Sequence, residues 1–182
     1  MHNVDPVTSS LRQELIAMAV NYSFSFTSPA KPVQKLIEYS YNEFLIDLPV
    51  HWKPVPSTES NTITFQSGIE DASIIISADF YDIPPSKAQA VAERCVESRL
   101  SVHEQQFPAR VEVIQRSIHA HSGGVGLELS YAAAVPGDHM FVYLGYVTPR
   151  KILNFTLVCG PDRSKASTLF NATIQHFRPK LP

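Results

Sequence analysis

The amino-acid sequence predicts an α+β domain built on an antiparallel sheet, and three observations carry that prediction. The first is ASIIISADFYD at 72–82, where Ile74, Ile76, Ala78 and Phe80 fall on one face and Ser73, Ser77 and Asp79 on the other. The second is a change of period just after it, where apolar residues recur at helical spacing behind two prolines. The third is a run of four strand-length segments joined by short links, which only an antiparallel meander accommodates.

Residues 8–20, TSSLRQELIAMAV, place Ser10 three residues before Gln13, a capping-box spacing, and carry Leu11, Leu15, Met18 and Ala19 at helical intervals. Tyr22, Phe24 and Phe26 then alternate with polar residues before two prolines interrupt regular structure. Residues 1–38 are therefore expected to be a leader with a short amphipathic helix, and 39–182 the main domain. The leader either folds back over the domain or serves as a partner-binding arm.

A strand is expected over 40–48, with Phe44, Ile46 and Leu48 alternating, and it should end at Pro49, which lacks a ladder donor. Ile63 and Phe65 mark a second strand over 62–66. A long helix over about 86–105 is signalled by Ser86 ahead of Gln89 and by Ala88, Val91, Ala92, Cys95, Val96 and Leu100 on one face. The meander strands are expected at about 110–119, 125–135, 139–148 and 151–159, with HSGG, PGD and TPRK as the turns. Asp162 is a ready N-cap for a last helix, Arg163 to Phe177.

Composition excludes several classes of function. The chain has 182 residues, 44% hydrophobic and 18% charged, which suits one compact domain with an appendage. Its 15 Lys and Arg against 17 Asp and Glu give a net charge of −2 with scattered basic residues, so no field favours nucleic acid. Cys95 and Cys159 form no paired motif and read as buried thiols. LIAMAV at 15–20 is too short for a signal core, and no stretch reaches the length of a membrane span, so the expected location is the cytoplasm.

No nucleophile elbow, phosphate loop or complete metal set is present. His119 and His121 form an HxH pair that a strand would turn to one face, a geometry for zinc or iron if a third ligand joined them; otherwise they are solvated residues at a hairpin mouth. Arg99 and His103 lie one turn apart within an otherwise apolar helical arc, so Arg99 must snorkel, meet a carboxylate or contact an anionic ligand. Glu70, Asp71, Asp79 and Asp82 read as a solvated strand edge. Residues 140–147, MFVYLGYV, are apolar on both faces, with Phe141, Tyr143 and Val147 on one side and Met140, Val142, Leu144 and Tyr146 on the other. That pattern fits either a central strand covered on both faces or an aromatic groove that receives a partner segment.

NEFLIDLPVHW at 42–52, the SIIISADFYD strand, the capped helix, the meander and a closing helix ending at Phe177 together resemble the PsbP-like superfamily, in particular its DcrB-like branch. The short signature is Leu48, Pro49 and Trp52 after an apolar strand. The resemblance covers about residues 40–180 and implies an α-β-α sandwich around a central antiparallel sheet, in the order strands, helix, four-strand meander, helix. It also implies a binding or adaptor protein rather than an enzyme.

Within that branch, members without a signal resemble the Eag chaperones of type VI secretion, dimers that shield apolar helices of an effector. Lys53-Pro54-Val55-Pro56 departs from the polar residues that follow the tryptophan there. The expectation is a non-enzymatic cytoplasmic binding protein without cofactor, a homodimer if it follows those chaperones, taking an apolar segment of a protein partner. Trp52, Phe141, Tyr143 and Tyr146 are the expected partner-binding residues. The alternative is a metal-dependent enzyme or sensor using His119 and His121.

Overall fold

The structure is a computed structural model and describes residues 35–181. The expected leader helix and the aromatic residues after it lie outside the described residues.

Among the described residues ten strands form two antiparallel sheets. The larger has seven strands: β3 (Lys53–Val55), β4 (Thr62–Ser67), β5 (Ala72–Phe80), β6 (Glu112–Ala120), β7 (Leu127–Val135), β8 (His139–Val147) and β9 (Lys151–Cys159), in the spatial order β3-β4-β5-β9-β8-β7-β6. The smaller has three: β1 (Leu36–Ser40), β2 (Phe44–Pro49) and β10 (Phe177–Pro179), with β2 in the middle. Helix α1 (Ala88–Gln106) crosses β5 to β6, and helix α2 (Arg163–Ile174) connects the two sheets.

The layers follow from which residues each strand buries. On one face of the large sheet, Phe141, Tyr143 and Val147 of β8 meet Ala92 and Val96 of α1. On the other face, Met140, Leu144 and Tyr146 share a core with Phe44, Ile46 and Leu48 of β2 and Ala166 of α2. A sheet covered on both sides in this way is the α-β-α sandwich, and β8 is apolar on both faces because both are buried.

The strand boundaries hold through the meander, and four local features differ from expectation. The strand expected over 40–48 is a hairpin of β1 and β2, closed where the Tyr41 N–H donates to the Phe44 carbonyl at 2.9 Å. Lys53–Val55 is a strand despite Pro54; it is an edge strand, where a missing donor is tolerated. Ser86 does not cap α1. Pro85–Lys87 form a turn of 3-10 helix instead, and no side-chain cap precedes Ala88. The last helix stops at Ile174, and Phe177 enters the core between Phe44 and Phe155, with ring centroids 5.5 and 5.2 Å away. Its backbone then pairs with Ile46 of β2, which replaces the helical hydrogen bonds.

Two polar arrangements complete the fold, a helix cap and a buried ion pair. Asp162 caps α2 as expected, its carboxylate accepting from the N–H groups of Ser164 and Lys165 at 2.8 and 3.0 Å. Lys151, only 7% exposed, bonds the Glu43 carboxylate and the Lys180 carbonyl, so a buried charge is paired across the two sheets.

Candidate functional site

Helix α1 carries its inward stripe at Ala92, Val96, Arg99 and His103, the spacing of one helical face. The first two are fully buried and small, so the helix seats closely on β7 and β8. Toward β9 and β5 it stands off the sheet and leaves a groove of about 980 Å³. The helix side of the groove is Val91, Cys95, Ser98 and Val102, and the sheet side is Ile75, Ile152, Asn154, Thr156 and Val158.

At the inner end the stripe becomes polar above an aromatic floor. The Arg99 guanidinium carbon lies 4.9 Å from the centroid of the Tyr143 ring. Among the described residues Arg99 meets no carboxylate. Tyr143 in turn stacks on Tyr131, with centroids 4.9 Å apart and the planes 23° from parallel. His103 stacks on Phe141 at 3.9 Å, and its Nε2 shares a 2.9 Å hydrogen bond with the Tyr131 hydroxyl. Its Nδ1 is buried with no hydrogen-bond partner among the described residues.

Beside that floor, on the sheet side of the groove, runs a chain of hydrogen bonds. Tyr143 donates to Asn154 Oδ1 at 2.9 Å, and Asn154 Nδ2 donates to Ser77 Oγ at 3.1 Å and to Asp79 Oδ2 at 3.5 Å. Tyr143 reaches its partner because Gly145 lacks a side chain: a Cβ there would stand 2.0 Å from the Tyr143 hydroxyl. The register completes the arrangement, since Gly145 pairs directly with Asn154.

Burial sets the proton affinities. It pushes the Tyr131 hydroxyl up to about 12 and Tyr143 higher still, against the pull of the Arg99 charge. The Cys95 thiol is also raised by burial. Burial, helped by the Arg99 charge, lowers the proton affinity of His103.

The four expected partner-binding residues do not form one surface. Trp52 and Tyr146 are 1% and 7% exposed and lie in the core shared with the small sheet. Phe141 and Tyr143 lie under α1, where Phe141 lines the groove and Tyr143 supports Arg99. His119 stands 3.7 Å from the Glu128 carboxylate, while His121 accepts from the Gly123 N–H at 3.1 Å and meets the Tyr146 ring edge-on. No group of three His, Cys, Asp or Glu able to hold a metal occurs among the described residues. Glu70 lies 3.7 Å from both His51 and Lys165, whereas Asp79 and Asp82 line the groove.

Tyr131 and Asn154 escaped the reading of the sequence. Asn154 carried a signal, being the one amide within the apolar run KILNFTLVC. Tyr131 carried none, because its role depends on a histidine 28 positions away.

No protein-family model matches the chain, and no curated protein matches it. Among solved structures it is similar to cyanobacterial PsbP from Synechocystis, with 19% identity and a TM-score of 0.57, over 82% of this chain and 95% of that one. It is also similar to a Pseudomonas aeruginosa protein of unknown function, with 20% identity and a TM-score of 0.43, over 81% of this chain and 99% of that one. The likeness to cyanobacterial PsbP establishes the architecture, and the chain has a PsbP-like α-β-α fold.

Proposed function

We propose that this chain is a non-enzymatic binding protein that holds an apolar segment of a partner protein in the groove between α1 and strands β5 and β9. The observation that carries the reading is the groove itself. Its volume of about 980 Å³ lies at the upper end of the range for binding clefts, about 300 to 1,000 Å³. Val91, Val102, Ile75, Ile152 and Val158 make its walls apolar. Val102 and Tyr81 are 47% and 57% exposed and extend that character to the groove's solvent side.

The polar groups in the groove suit holding a guest better than making or breaking bonds. The thiol of Cys95 and the hydroxyls of Tyr131 and Tyr143 are all raised by burial, so none is a ready nucleophile at neutral pH. The narrower form of the role, a cytoplasmic chaperone for an exported effector, rests on the DcrB-like resemblance of the sequence. A slot for an apolar segment agrees with it. No helix among the described residues is long and apolar enough to cross a membrane.

Site-specific photo-cross-linking in the native host tests the reading. A photoreactive side chain at Val102 is expected to give a discrete adduct with a partner protein, and one at Ile118, on β6, is not. Identical adducts from both positions, or none from Val102, would overturn it.

A further inference from the structure

We propose that the segment held in the groove carries one carboxylate, an acidic side chain within its apolar stretch, and that Arg99 pairs with it. The inference rests on the groove being the binding site and names what its guest must offer.

Arg99 is half-buried on the inward stripe of α1, where an unpaired cation is costly. Other charged groups line the groove, and none of them neutralises it. Asp79 is bonded by the Asn154 amide, Asp82 is exposed, and Lys87 and Arg94 add positive charge. Among the described residues the charge of Arg99 meets the face and hydroxyl of Tyr143 and no carboxylate. A ring face engages the plane of a guanidinium and leaves its N–H edges, which hold five donors in a fixed fork, for a planar acceptor. His103 adds a second unmet group, since its Nδ1 is buried without a partner among the described residues while its Nε2 is occupied by Tyr131. An acidic side chain supplies what this end of the groove lacks, and the apolar walls take the residues on either side of it. Solvent is restricted there, since Asn154 and Thr156 on the sheet side are only 2% and 8% exposed, so the pair would be stronger than a surface ion pair.

The test uses the full chain and three short amidated leucine–alanine peptides that differ only at one central position, glutamate, glutamine or lysine. Calorimetry is expected to show the glutamate peptide binding about tenfold tighter than the glutamine peptide, the gain of one charge-assisted contact, with lysine weakest. Arg99→Gln should erase the preference, Arg99→Lys should retain part of it, and Arg116→Gln on β6 should leave it intact. Thermal melting confirms that each variant is folded.

Equal binding of the three peptides that Val102→Trp still blocks would overturn the carboxylate and leave the groove as the site. Binding of none of them would overturn both. Binding of decanoate in an Arg99-dependent manner, without binding of any peptide, would replace a polypeptide guest by a small amphiphile and overturn the proposal.

Discussion

The Tyr143 hydroxyl donates to Asn154 Oδ1 at 2.9 Å across the backbone of Gly145, the residue that pairs with Asn154 in the sheet. This bond holds the ring flat beneath Arg99. Gly145→Ala should expel the ring, since the new Cβ would lie 2.6 Å from Tyr143 Cζ, and should destabilise the protein by about 1–3 kcal/mol in urea unfolding. Tyr143→Phe leaves the buried Asn154 Oδ1 without this donor and should cost about 1–3 kcal/mol with little change in packing.

Trp52 is fully buried in the core that joins the two sheets. Trp52→Ala should cost about 3–5 kcal/mol, and Trp52→Phe should recover much of that. Because Trp52 faces away from α1, the folded Trp52→Phe variant should bind groove guests like the parent chain. Calorimetry on that variant separates packing from recognition.

His103 makes stability depend on pH. Its folded-state pKa lies below the unfolded value of about 6.5, so the unfolded chain binds more protons as pH falls. The neutral form's contribution is present in full above that value and is lost as pH drops toward the lower folded pKa. Thermal melting from pH 7.5 to 5.5, read against about 6.5 as the reference, should show the parent losing more stability than His103→Gln.

The capping aspartate offers a smaller and cleaner measurement. Asp162→Ala removes the acceptor for two N–H groups at the start of α2 and should cost about 1 kcal/mol in urea unfolding.

The meander was legible in the sequence because its turns are short and its strands long enough to show their patterns. The elements that were not legible are those whose pairing is non-local. β10 is three residues placed against β2 some 130 positions earlier, and no local pattern distinguishes it from a helix end. MFVYLGYV was readable as a strand buried on both faces, but which layer each side chain enters was not. Trp52 and Tyr146 belong to the core shared with the small sheet, whereas Phe141 and Tyr143 lie under α1. Arg99 and His103 stood out as polar residues on an apolar arc. The groove beside them was invisible, because it arises from α1 seating on β7 and β8 rather than over β9.

The proposed binding site is the space between α1 and strands β5 and β9. Methyl NMR spectra of the full chain, titrated with the glutamate-bearing leucine–alanine peptide, test it most directly. Saturable shifts confined to Val91, Val102, Ile75, Ile152 and Val158, and abolished in a folded Val102→Trp variant, are the predicted result. Shifts centred on Ile46 and Leu48, or shifts that persist unchanged in Val102→Trp, would contradict it.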